Sequence, residues 1–224
     1  MIRAGADALG RSFEDDAQLG AGVWTQQLYG QSVRYVGAVH GVAGNAYVLQ
    51  RVAHLLDPAA AARWSAALAR SLGASAIRSD GMANWPAKLD DPGEGTPAML
   101  LVQHCHGAPG MITSFAAVPH ADEALLIEGG ELIWRAGPLT KGSNLCHGTA
   151  GNGDAFLKLF ERTGDQLWLD RARAFAVHAL AQSEAQAGEL GRGCYSLWTG
   201  DLGLACYLWD CLGGKAAFPT LDVL

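Results

Sequence analysis

The sequence predicts an all-α fold in two layers, with mostly apolar helices inside and amphipathic helices outside. Three observations predict it. Glycine pairs recur at 41/44, 107/110, 148/151 and 200/203, and each opens an apolar stretch. Between those stretches lie helices with a single apolar stripe. Strand signals are scarce, confined to Ser32 to Val36 and Leu100 to Gln103, both just before a glycine pair. The pairs are unevenly spaced, so the repeats are helix pairs joined by loops of varied length and not a strict solenoid. The glycine turns are expected to gather at one end of the inner layer.

Each element follows from local signals. Inner helices are expected over Asn45 to Leu56, Met111 to Val118, Asn152 to Arg162 and Leu204 to Leu212, the apolar runs after each glycine pair. The first outer helix starts at Asp57-Pro58, an N-cap followed by proline at the first helical position. Trp64, Leu68 and Leu72 then recur on one face. Gly164-Asp165 closes one helix and caps the next. In that next helix Trp168, Ala172, Phe175 and Ala179 form the apolar stripe, with Asp170, Arg171 and Arg173 elsewhere on its surface. Ser79 to Pro97 holds Pro86, Pro92, Pro97, Gly93 and Gly95 and reads as a long loop, and Gln182 to Gly193 reads as a second. Loops beside motif-bearing turns are common places for substrate contacts.

Composition narrows the function classes. The 224 residues are 50% hydrophobic and 17% charged, which suits one domain over residues 1–224 with a large buried core. The net charge of -6 gives no electrostatic support for nucleic acid as a partner. No apolar run approaches the roughly 18 residues of a membrane span. Arg3, Asp7 and Arg11 follow Met1 without an apolar stretch, so no signal peptide is expected. Five cysteines, an odd number, favour reduced thiols over a disulfide framework and a cytoplasmic location.

The chemistry sits in the turns. Cys-His-Gly-x-x-Gly occurs at Cys105 to Gly110 and again at Cys146 to Gly151, and His40-Gly41-Val42-Ala43-Gly44 lacks only the cysteine. Cysteine and histidine are ligands that zinc prefers. Cys105, His106, Cys146 and His147 could form a zinc site of two sulfurs and two imidazoles. Neighbouring residues at a helix start point about 100° apart, however, so at least one of the four is expected beside the metal and not on it. The bland alternative is that these side chains pack or cap helix ends. His40 occupies the histidine slot without a cysteine, a suitable place for a general acid or base; its alternative is a core histidine. His54, His120 and His178 are read as structural and Cys206 as core.

These residues carry a resemblance. Ala38 to Gly44, Cys105 to Gly110, Leu145 to Gly148 and the late Gly200-Asp201-Leu202-Gly203 resemble, in content and order, the lanthionine synthetase C-like family. Cys-His-Gly-Ala-Pro-Gly together with the ending Lys215 to Pro219 is closest to its eukaryotic-type, glutathione-binding branch. The resemblance implies an (α/α) toroid of inner and outer helices. It implies zinc on Cys105, Cys146 and His147 with the fourth position open, as in a catalytic site. His106 becomes a neighbour of the metal, and His40 maps onto the family's acid/base histidine. Lys141 maps onto a lysine near glutathione, and Arg192 is a further candidate for that anionic patch.

A function follows as an expectation. A zinc-bound thiol loses its proton, and the thiolate adds to a dehydroalanine or dehydrobutyrine in a peptide or protein, forming a thioether. His40 then protonates the enolate. The thiol is a cysteine of the acceptor peptide, glutathione or another small thiol. The second hypothesis is a zinc- and glutathione-binding scaffold without catalysis. The third is a carbohydrate-active α/α barrel, which needs two opposed carboxylates, whereas the turns offer only Asp201. The chain matches the later portion of the family, with four glycine turns where seven close a ring, so an incomplete ring is expected. A second copy or a partner chain is expected to cover its open faces, because exposed apolar surface costs about 25 cal/mol per Å2.

Overall fold

The computed structural model describes residues 1–89, 100–219 and 222. Its elements in order are α1 (Ile2–Arg11), β1 (Phe13–Asp16), β2 (Ala21–Trp24), β3 (Gln26–Leu28), β4 (Gln31–Val33), α2 (Val42–Arg51), α3 (Pro58–Ala74), β5 (Ile77–Ser79), β6 (Met82–Asn84), α4 (Ala108–Phe115), α5 (Glu123–Ala136), α6 (Thr149–Thr163), α7 (Gln166–Leu190) and α8 (Asp201–Gly213). The fold is mostly α, as the sequence predicts, and two-layered. The inner helices α2, α4, α6 and α8 pack on one another in series, and α3, α5 and α7 pack outside them. Every residue of α4 is buried, as are the first eleven of α6, whereas α5 and α7 bury one face. Apolar helices are therefore inside because they have no polar face to offer water.

The four turns share one construction. Each first glycine, at 41, 107, 148 and 200, is the N-cap of its inner helix. Each second glycine lies against a carbonyl six residues upstream. A Cβ at Gly44, Gly110, Gly151 or Gly203 would stand only 2.4, 1.9, 1.9 or 2.1 Å from the oxygens of Ala38, His104, Leu145 or Leu197. No side chain fits that gap. The hook also serves free helix N–H groups: Val42 donates to Tyr35 (3.2 Å), Thr149 to Gly142 (3.0 Å) and Asp201 to Cys194 (2.8 Å). In α4 the Asn84 side chain accepts from Ala108 N instead (2.9 Å).

Capping signals are realised as expected. Asp57 accepts from Ala60 N ahead of Pro58, and Gly164 adopts the left-handed C-cap before Asp165 caps α7. Leu68, Leu72, Trp168, Ala172, Phe175 and Ala179 all face the core.

Three readings need correction. Gln182 to Gly193 is not a loop: α7 continues through Ala-, Gln- and Glu-rich sequence to Leu190 and stops at Gly191. Ser79 to Pro97 is not wholly loop, because β5 and β6 pair through Asp80-Gly81, both at positive φ. The rest of that segment, 90–99, lies outside the described residues. Cys206 is half-buried, and it is Cys211, five residues on, that enters the core. Two N-terminal hairpins, β1–β2 and β3–β4, were not foreseen; residues there are short of apolar alternation, and Tyr29-Gly30 supplies the second turn.

The chain end returns to the inner layer. Asp222 accepts from Tyr47 of α2, from Lys158 of α6 (2.7 Å) and from Phe218 N (2.7 Å). Nearby in α6, Asp154 is buried with one carboxylate oxygen lacking a hydrogen-bond partner. Burial pushes its pKa up to about 7, against the pull of Lys158. Asp154 thus binds its proton more tightly in the folded than in the unfolded chain. Its contribution to stability is complete below its ordinary value near 3.8 and is lost as pH rises through about 7. Asp154→Asn is expected to remove a slope of about 1.4 kcal/mol per pH unit between roughly pH 5 and 7. Urea unfolding at both ends of that window reads it, and an unchanged slope would refute the assignment.

Candidate metal centre

The turns stand side by side at the N-terminal ends of the inner helices. Cys105 N donates to Cys146 O (3.1 Å), and Cys146 N donates to Trp198 O (2.9 Å), so the second, third and fourth turns are tied in a row at matching positions. The first turn packs against the second because Gly37 has no side chain: a Cβ there would stand 2.3 Å from Cys105 O and 2.9 Å from His106 Nδ1.

This row brings the Cys105 and Cys146 side chains together. The Gln103 amide donates to the Cys105 sulfur (3.0 Å), which the Cys146 thiol approaches from the neighbouring turn. The Cys146 thiol and the Gln103 amide hold the Cys105 thiol down to about 7 despite burial. Cys146 is pushed up by its interaction with the Cys105 thiol, by burial and by the Cys105 charge. Both thiols are free and half-buried, and the Gln103 amide favours the anionic form of Cys105. Each precedes the N-terminus of an inner helix, where the helix dipole also favours a thiolate.

The histidines divide among three places. His147 follows Cys146, half-buried, and its backbone N donates to the Asn144 side chain (3.1 Å). The His40 and His106 rings face each other with centroids 6.3 Å apart, and Tyr35 lies 5.7 Å from the first and 5.9 Å from the second. Burial and the His40 charge lower the His106 pKa, and its Nδ1 is buried without a partner. His40 borders a cavity of about 340 Å3 lined also by Gln26, Asn45, Val48 and Ser114. His104 leaves the site altogether: it is buried and stacked on Phe218 (4.3 Å), and burial holds its pKa down to about 3.

Lys141 is exposed, and its ammonium donates to Gln103 Oε1 (3.2 Å). Arg192 is exposed in the link between α7 and the fourth turn and takes no part in the hydrogen bonds around Cys105. Asp201, the acid among the turns, is occupied by Ser183 Oγ and Cys194 N. Sequence reasoning missed Gln103, Asn144 and Tyr35. Asn144 carried a turn signal; nothing in the sequence joins Gln103 to a lysine 38 positions away.

Two free cysteine sulfurs presented by adjacent turns are the donor chemistry zinc takes, and in that respect the residues fit the metal. The His147 ring is not gathered with them: among the described residues no three His, Cys, Asp or Glu side chains form a group that could hold a metal ion. No helix among them is long and apolar enough to cross a membrane.

The sequence model of the family described as lanthionine synthetase C-like protein matches residues 9–223. The chain is 33% identical over 204 residues to a protein named glutathione S-transferase LANCL1 from Danio rerio, which covers 84% of this chain and 46% of that protein. It is 34% identical over 143 residues to the LanC-like protein GCL1 of Arabidopsis thaliana, which covers 58% of this chain and 32% of that protein. The chain thus spans less than half the length of these relatives.

Proposed function

This chain belongs to the lanthionine synthetase C-like family, and from that premise we propose that it holds zinc through Cys105, Cys146 and His147 and joins a thiol to a dehydroamino acid of a peptide or protein. The observation that carries the proposal is that separate turns, joined by the Cys105 N to Cys146 O bond, set the Cys105 and Cys146 thiols beside each other. Bound zinc makes a thiol at its open position acidic enough to react at neutral pH. The chain's own residues do the rest. Lys141, exposed at the rim, pairs with a carboxylate of the incoming thiol, and Arg192 adds to the same patch. The name of the Danio rerio relative supports glutathione as that thiol. The cavity beside His40 receives the acceptor. Addition of sulfur to the C=C bond leaves an enolate, and His40, its ring set by Tyr35 and His106, gives the proton that completes the thioether.

Free thiols at all five cysteines support a reducing compartment, the cytoplasm. Leu202, Trp209 and Leu212, 52%, 75% and 78% exposed on α8, support a protein neighbour over that face, a second copy or a partner chain. The alternative is a scaffold that binds zinc and thiol without catalysis. Zinc-loaded protein incubated with glutathione and a dehydroalanine peptide separates the two. Catalysis is expected to add one glutathione mass to the peptide faster than the protein-free control. Zinc uptake without that gain would leave the scaffold.

A further inference from the structure

We propose that Lys141 locks the Gln103 amide with its NH2 group toward the Cys105 sulfur, so that Gln103 is the positioning residue of that ligand and Lys141 its lock. The inference rests on the reading of Cys105 as a metal ligand, and it gives Lys141 a role apart from meeting substrate. A glutamine amide has one accepting and one donating end, and its orientation is decided by its partners. An ammonium only donates, so the 3.2 Å bond from Lys141 Nζ fixes the oxygen end. The nitrogen end is then left 3.0 Å from Sγ of Cys105.

The backbone permits little else. Gln103 N donates to His106 O and His106 N donates to Gln103 O, both at 3.2 Å, which closes a tight loop with Cys105 near its apex. Gln103 is only 8% exposed, so water does not readily replace a lost partner. Without Lys141 the amide is free to turn and set its carbonyl oxygen against the sulfur, lone pair to lone pair. A carboxylate that draws Lys141 away therefore alters the electron density of the ligand sulfur. Thiol binding and metal basicity are coupled through one amide.

A double-mutant cycle tests this. Zinc affinity is measured by competition with a colorimetric chelator, and cadmium affinity by the near-ultraviolet absorption of cadmium bound to thiolates. Gln103→Ala and Lys141→Ala are each expected to weaken binding about 10–100-fold, as loss of an outer hydrogen-bond partner does. The double variant should be no weaker than Gln103→Ala alone, and Lys141→Arg, which keeps the donor, should restore wild-type affinity. Lys141 is exposed, so its replacement leaves the fold intact. Wild-type affinity in Lys141→Ala, or additive losses in the double variant, would overturn the lock. If the wild type takes up cadmium but not zinc, the zinc reading fails while the cadmium cycle still decides the lock. Uptake of neither ion overturns both.

Discussion

Replacing His40 by alanine is expected to lower turnover about 100- to 10,000-fold while zinc content stays at the wild-type level, the range for loss of a general acid. The separation follows from geometry. His40 sits in a turn built like those of Cys105 and Cys146, but Val39 holds its cysteine slot. Its ring meets Tyr35 and His106 and borders the cavity, with no contact to the sulfur pair needed to hold it there. Removing it subtracts a proton donor and leaves both thiols in place. The checks are turnover of a dehydroalanine peptide and elemental analysis of the same preparation. A variant that loses zinc along with turnover would make His40 structural or a ligand, and unchanged turnover would remove it from the mechanism.

Cys146→Ala is expected to bring bound zinc down to background and to abolish turnover with it. The substitution removes one sulfur donor and leaves Cys105 with the Gln103 amide as its neighbour. It leaves the row of turns standing, because that row uses the Cys146 backbone N and O. Cys211→Ala is the control: its thiol is buried in α8, outside the glycine turns, and zinc content should not change. Elemental analysis after dialysis against a weak chelator reads both. Full zinc in Cys146→Ala would dismantle the ligand assignment, whatever the activity.

Much of this architecture was legible along the chain because it is local. Asp57-Pro58 and Gly164-Asp165 each act within a few residues and produced the expected helix boundaries. The glycine pairs, by contrast, mark helix starts about one turn earlier than expected, because each inner helix begins directly after the first glycine and contains the second. Gln182 to Gly193 misled because two signals conflict: its polar composition suggests loop, whereas its alanines and glutamines carry α7 to Gly191 without a break. The hairpins were missed for a related reason. Three-residue strands such as β3 and β4 present too few positions for an alternation to stand out, and it is a tertiary contact, Gln26 of β3 accepting from Tyr35 N beside the first turn (2.9 Å), that ties them in place.

The sequence by itself determined where the turns fall, which of them carry sulfur and imidazole, and that the helices between them form two layers. Glycine spacing and apolar period act over a handful of residues and need no distant partner. Only the tertiary structure decided that Cys105 meets Cys146, that His104 turns into the core against Phe218, and that Gln103 stands between Lys141 and the sulfur. Those contacts depend on how neighbouring inner helices set their turns side by side, and a packing relation between helices leaves no period in the chain for a reader to find.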